Sequence, residues 1–286
     1  MKTIVTHIFP DLDAVCAVWL LKRFDHEFEG AKVKFVPAGT TLDDKAVDSD
    51  PDVVHVDTGL GRFDHHDSNA RTCAADLVFN YLKSEKNITL KYQSALERLI
   101  DLVIQIDHFE DFFWNDAAAD IYDLSLHHLL DHLKMSGRLN DRELVAQGEL
   151  LLEAVLYGLH QKDLAEKEIR SGIEFISPWG KSLGTETKMS RVSKLGQKMG
   201  FALIVRKEPG TGFVSVKCQP KKSLDLTAAY QALKQADPKA DWFFHPSRHI
   251  ILNGSRHNQK VKASSLNLKE LVDLLKGVDF LNAGGG

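Results

Sequence analysis

The 286-residue chain has only three cysteines, Cys16, Cys73 and Cys218, widely spaced and without a CxxC pair. That excludes a disulfide framework and suits a reducing compartment. Cys16 and Cys73 sit in apolar helical patterns and read as small core residues. No uninterrupted apolar run approaches the roughly 20 residues needed to cross a bilayer. His7, Asp11 and Asp13 break up the first apolar stretch, so it does not read as a signal peptide. Internal repeats are absent. A cytoplasmic protein with no membrane partner is expected, and the sequons Asn87-Ile88-Thr89 and Asn253-Gly254-Ser255 then carry no meaning for glycosylation.

The composition, 43% hydrophobic and 27% charged, is that of a globular protein with enough length for two domains. The net charge of −4 hides an asymmetry. From Lys181 onward there are 18 basic and 8 acidic residues, which leaves 18 of the 36 basic and 32 of the 40 acidic residues in the first 180 positions. An acidic half with ordered carboxylates suggests metal binding, and a basic half suggests anion handling. Plain drift in surface charge is the bland alternative.

The pattern predicts an α/β fold. Strands are expected at Lys2–Thr6, Lys32–Val36 and Val53–Val56, with a helix after Asp11 and Asp13 and another after Thr72 as its cap. Alternating strands and helices point to a parallel sheet with helices on both faces. Helical spacing follows at Tyr92–Ile106, Ala117–Leu133 and Asp141–Ile169 and forms a helical connector. Pro178-Trp179-Gly180 and the polar stretch 181–190 read as a boundary, dividing residues 1–178 from a smaller α/β domain at 190–282, with a cleft between them. In that second domain a hairpin is expected around Glu208–Gly212, with helices at Leu226–Gln235 and Leu268–Lys276 and a strand near Ile250. The glycine tail 284–286 is expected to be disordered.

Three potential ligands, His7, Asp11 and Asp13, follow the first strand at the sheet edge where open α/β folds place ligands. Asp11 or Asp13 could instead be only a helix cap, and His7 a turn histidine. The third strand runs into Asp57-Thr58-Gly59, and Asp64-His65-His66 comes a few residues later, after Gly59 and Gly61 loosen the loop. Successive residues of an extended segment point oppositely, so His65 and His66 should do different jobs.

In this order, His-x3-Asp-x-Asp, a strand-ending Asp and Asp-His-His resemble the DHH phosphoesterase superfamily over residues 1 to about 110. That superfamily contains single-strand exonucleases, small-oligonucleotide and cyclic-dinucleotide hydrolases and manganese-dependent pyrophosphatases. The resemblance implies His7 and Asp11 on one divalent metal, Asp13 and His65 on a second, and Asp57 bridging both. It implies His66 facing the phosphate, Asp64 orienting the histidine pair, and one further carboxylate. Asp107, at the end of Ile104-Gln105-Ile106, matches best, with Asp101 and Asp111 as rivals. The later half is loosely similar to the MYG-type exonuclease branch, through Gly61–His66 and through Phe243-Phe244-His245-Pro246-Ser247 with Asn253-Gly254. It lacks the glycine-rich motif ending in histidine that many nanoRNA- and cyclic-dinucleotide-type members carry.

Carboxylates with two imidazoles suit Mn²⁺ best, with Mg²⁺ and Co²⁺ next, for two-metal in-line attack of water on phosphorus. His66, Arg71, His245, Arg248, Asn253, Gly254 and Arg256 are the substrate-binding candidates, although Arg71, Arg248 and Arg256 could be exposed loop cations. His127-His128 with Asp131 and His132 reads as a solvated or partly packed cluster rather than a zinc site. For Phe109, Phe112, Phe113 and Trp114 core packing is the default, with base stacking as the alternative. The expected function is metal-dependent hydrolysis of short oligonucleotides or single-stranded nucleic acid. A small phosphoanhydride such as pyrophosphate is the alternative substrate, and a non-catalytic ligand-binding protein is the alternative of another class.

Overall fold

The computed structural model describes residues 1–86, 92–254, 258 and 260–278. The Asn87 sequon, Ser255 of the second sequon, Arg256 and the glycine tail lie outside them. The chain divides into two compact units, Met1–His160 and Gln161–Gly286.

The first unit opens with β1 (Thr3–His7), α1 (Leu12–Phe24), β2 (Lys32–Val36) and β3 (Val53–His55). β1 lies between β2 and β3, both parallel to it, with Thr3 opposite Lys32 on one side and Val53 on the other. The crossover through α1 places β2 on one side of β1, and β3 then returns to the other side. The carboxyl ends of β1 and β3 therefore flank the point where strand order reverses, the standard place for a ligand in an open α/β sheet.

α1 is apolar all round, and Leu12 to Leu21 are all buried. Asp11 caps it, its Oδ1 accepting from Ala14 N at 3.1 Å, and Lys22 and Arg23 in the last turn complement the helix dipole. α1 joins Ile4 and Val54 of the sheet to α2 (Ala74–Ser84), α3 (Gln93–Asp107), α4 (Leu126–Met135) and the first part of α5 (Asp141–Arg170) in one core. Each fully buried aliphatic side chain there contributes about 1.5–3 kcal/mol. Among the described residues the helices, expected on both faces of the sheet, pack on the face of Ile4 and Val54. The opposite face meets the segment 41–50, where buried His55 accepts Leu42 N on Nε2 at 3.1 Å and bonds Asp48 through Nδ1 at 3.0 Å.

Three local expectations change. α2 is not capped by Thr72, whose hydroxyl donates to Asp76 at 2.8 Å. Both oxygens of buried Asp13 take that role, accepting from Ala74 N at 2.7 Å and Ala75 N at 2.8 Å, because a full carboxylate charge suits a helix N-terminus better than a hydroxyl. The stretch Ala117–Leu133 is one continuous helix only from Leu126, which follows a 3₁₀ turn at Asp120–Leu124. The boundary also falls earlier than 178–190, since β4 (Ile173–Ser177) and β5 (Gly180–Glu186) form a hairpin around Trp179 that belongs to the second sheet.

That sheet continues through β6 (Leu203–Lys207), β7 (Val214–Cys218), β9 (Ile250–Asn253) and β8 (Phe243–Phe244), in the order β4-β5-β6-β7-β9-β8. Among the described residues of this sheet only β5 and β6 are parallel neighbours. Leu203 and Val205 face a core with α7 (Thr227–Ala236) and α8 (Leu268–Lys276), while Ile204 faces α6 (Arg191–Lys198) and Ala165 and Ile169 of α5. All three cysteines are buried, and burial pushes the Cys218 thiol up to about 11. Among the described residues no helix is long and apolar enough to cross a membrane.

Candidate metal centre

Most ligand candidates lie at or next to the end of a regular element, while His65 sits in the irregular segment between β3 and α2. His7 is the last residue of β1; its Nδ1–H donates to Ile8 O at 2.9 Å, and its Nε2–H donates to Asp57 Oδ2 at 3.2 Å. The turn onward to Asp11 is held by two contacts: Asp141 accepts Phe9 N at 3.2 Å, and Lys134 donates to Phe9 O at 3.2 Å. Phe9 itself takes the left-handed conformation, φ +54°.

Asp57, just after β3, also has φ +54°, an uncommon conformation for a non-glycine residue. The loop that follows is tighter than expected. Asp57 N donates to Phe63 O at 2.9 Å, and Asp64 Oδ2 accepts Leu60 N at 2.7 Å. Gly59 and Gly61 serve close approach rather than looseness, since a Cβ on Gly59 would lie 2.9 Å from Thr41 Cγ2 and one on Gly61 2.7 Å from Val47 Cγ2.

His65 and His66 differ in exposure, although their rings lie only 4.4 Å apart, closer than the alternation predicts. His65 is largely enclosed, with Nε2 3.6 Å from Asp57 Oδ1, 3.6 Å from Asp107 Oδ2 and 3.8 Å from Asp13 Oδ2. The His66 side chain is 60% exposed, and its Nδ1 bonds Asp64 Oδ1 at 2.7 Å. Asp64 therefore orients His66; no bond from Asp64 to His65 is formed among the described residues. Asp107 ends α3, and of its two rivals Asp101 sits beside Arg71 while Asp111 joins a different cluster. Three overlapping groups result: His7, Asp11 and Asp57; Asp57, His65 and His66; and His65, Asp107 and His108. His108 carries no motif of its own in the sequence, although it directly follows Asp107; its Nε2 bonds Thr72 O at 2.9 Å.

The donor set fits divalent cations. Asp57 Oδ1 and His65 Nε2 are buried atoms with no hydrogen-bond partner among the described residues. A gap of 3.6 Å is too long for a hydrogen bond, but two ligands each about 2.1 Å from one ion are separated by about 3–4 Å. Electrostatics agree. Burial and the Asp57 charge raise the pKa of Asp11 and, more strongly, of Asp13, and burial raises that of Asp107. Burial also opposes ionisation of Asp57, yet His65 and His7 outweigh it and hold the group at about 2. Burial opposes the charge on His7, which Asp57 nonetheless drives up to about 9; Asp57 likewise raises His65 to about 9, with help from Asp107 and Asp13. Four carboxylates against two imidazoles is a site short of positive charge.

A cavity of about 740 Å³ is lined by Asp11, Asp13, His65, His66 and Asp107, and a smaller one of about 320 Å³ by His7, Asp57 and Asp64, with Asp11, His66 and Asp107 shared. Phe109 lines the larger one and is 80% exposed, as is Phe113, with Phe112 at 76%. These rings are not packed in the core as the default predicts.

The remaining substrate candidates fare differently. Arg71 makes a two-point pair with Glu110 at 2.6 and 2.8 Å and does not line the cavity. His245 is exposed, with Nδ1 bonded to Ser247, and exposed Arg248 pairs with Asp225 at 3.1 Å. Asn253 is fully buried: its amide donates to Asp241 O and Lys262 O at 2.9 and 2.8 Å, and its Oδ1 accepts Ser264 N at 2.7 Å. It ties loops together and does not face substrate. Gly254, at φ +79°, lies under Phe213, whose ring would be 2.3 Å from a Cβ, so it too is structural. Asn253→Ala should cost about 2–4 kcal/mol, because three buried partners lose their bonds, and should leave KM unchanged. Thermal melts with parallel kinetics check this. The sequence pattern gives no sign of a group formed by the cations Lys162, Arg191, Lys194 and Lys198, which line a groove of about 700 Å³ in the second unit.

No family model and no curated protein matches the chain. Solved structures that resemble it include an uncharacterized protein from Helicobacter pylori, at 14% identity and TM-score 0.27, over 97% of this chain and 98% of that one. The DHH domain of a member of a family of ribosomal proteins matches at 14% identity and TM-score 0.32, over 96% of this chain and 85% of that one. RecJ from Thermus thermophilus in complex with Mg²⁺ matches at 14% identity and TM-score 0.27, over 96% of this chain and 49% of RecJ, so this chain spans about half of RecJ's length. At that level the likeness transfers no residue role.

Proposed function

We propose that the chain is a divalent-metal-dependent phosphoesterase that hydrolyses phosphodiester bonds of short oligonucleotides or single-stranded nucleic acid. The observation that carries this is the unpartnered pair of Asp57 Oδ1 and His65 Nε2, unbonded among the described residues, within a ring of His7, Asp11, Asp13 and Asp107. In this reading His7 and Asp11 would hold one cation and Asp13 and His65 a second, with Asp57 as a shared ligand and Asp107 as a further one; Mn²⁺ would suit the mixed donors best. Bound there, the two ions would supply Lewis-acid activation of water and charge stabilisation at phosphorus.

The chain's own groups do the rest. Asp64 fixes His66 through Nδ1, so that Nε2 points away from the carboxylate and can donate to a phosphoryl or leaving oxygen when the ring is protonated. Asp13 carries a double duty, since the α2 amides that it accepts hold its oxygens in place beside His65.

The exposed rings of Phe109, Phe112 and Phe113, beside the candidate centre in the same unit, favour nucleic acid over pyrophosphate. Stacking a base on an aromatic ring contributes about 1–3 kcal/mol. Phe112→Ala with Phe113→Ala should therefore raise KM for a five-nucleotide RNA or DNA about 10-fold or more, and leave hydrolysis of a small chromogenic phosphodiester unchanged. A panel of short oligonucleotides and pyrophosphate with Mn²⁺ tests the assignment. Nucleotide products support it, and faster phosphate release from pyrophosphate reassigns the substrate.

A further inference from the structure

A second histidine cluster in the first unit shows more order than a solvated group. Ser125, which precedes α4, donates its hydroxyl to Tyr122 O at 2.5 Å, so its oxygen is left to accept the Nδ1–H of His127 at 3.1 Å. His128 Nδ1 donates to the same carbonyl at 2.9 Å. Both rings thus carry their proton on Nδ1 and keep Nε2 as a bare lone pair, the arrangement that fixes metal-ligating imidazoles.

His127 is 8% exposed, and its Nε2 has no hydrogen-bond partner among the described residues. That atom faces Asp111 Oδ2 at 3.9 Å, too far for a hydrogen bond and within the span of two ligands on one ion. Ligand atoms of Asp111, His127 and His128 lie within 4.8 Å of one another. His132, which shares a helical face with His128, is exposed and stands apart from this group. Burial and the neighbouring His128 lower the pKa of His127, which favours the neutral ring that a cation requires.

We propose that Asp111, His127 and His128 bind a divalent first-row transition ion of the zinc type, a site separate from the Asp57 centre. Two imidazoles and one carboxylate leave at least one coordination position for water or an anion. All three residues line the 740 Å³ cavity that also contains Asp107, so that position is open to a solute entering it. The site stands on its own geometry and does not depend on the phosphoesterase reading.

The test is a Co²⁺ titration of the metal-stripped full chain, followed by visible absorption and by equilibrium dialysis. Asp111→Asn and His128→Gln should each weaken one equivalent of Co²⁺ at least about 10-fold and remove its ligand-field band, with the metal-free melting temperature unchanged. Asp57→Asn should keep that band. Retention of the same equivalent at wild-type affinity by either variant overturns the proposal.

Discussion

Asp57→Asn is expected to lower kcat at least about 10³-fold while leaving the protein folded. Asp57 contacts His7 through Oδ2 at 3.2 Å and faces His65 through Oδ1 at 3.6 Å, so both oxygens lie within the ring of ligand candidates. Asparagine keeps the size of the side chain and tolerates the left-handed backbone, φ +54°, better than any other neutral replacement except glycine. What it loses is the charge and one of the two anionic oxygens, the property that a bridging ligand needs. The check pairs single-turnover hydrolysis with a melting curve of the metal-stripped proteins. Activity within about tenfold of wild type would remove Asp57 from the mechanism.

A similarly large effect should appear in the pH dependence of metal binding. The two imidazoles, raised to about 9, are protonated at neutral pH in the metal-stripped protein, and metal binding must displace those protons. Apparent Mn²⁺ affinity should rise between about pH 7 and 9 by up to about 100-fold for each ion whose histidine must deprotonate, and level off above about 9. Stability of the metal-stripped protein should move the other way. A histidine whose folded pKa lies above its unfolded value of 6.5 contributes its full stability below pH 6.5, and that contribution is lost as pH rises through about 9. Calorimetry in two buffers of different ionisation enthalpy would count the released protons; none released at about pH 7 would contradict the protonated pair.

Much of the first unit could be read from residues alone. β2 spans Lys32–Val36 as its pattern predicts, and in the second unit α8 spans Leu268–Lys276 likewise, because alternation and helical spacing coincide with clear start and stop signals there. His7, Asp11, Asp57 and Asp107 are brought together because each sits at or just beyond an element's end, and the loop after β3 carries His65 to them. The misses have local causes. Trp179 looks like a linker residue beside proline and glycine, but its turn joins paired strands, which single-sequence pattern cannot distinguish from a boundary. Asn253 carries a polar side chain suited to substrate, and only its three buried backbone partners reveal another role. The ordinary preference of apolar residues places Phe112 and Phe113 inward, yet both are exposed. Asp111 and His127 lie on different elements and meet only through packing, which no helical spacing encodes.

Metal rescue of the wild-type protein tests the two-ion phosphoesterase most directly. The protein is stripped with a chelator and dialysed, then given a five-nucleotide single strand with and without Mn²⁺. Nucleoside monophosphates should appear only when Mn²⁺ is restored. Equal cleavage by the stripped protein, or no cleavage of any strand at saturating Mn²⁺, would contradict it.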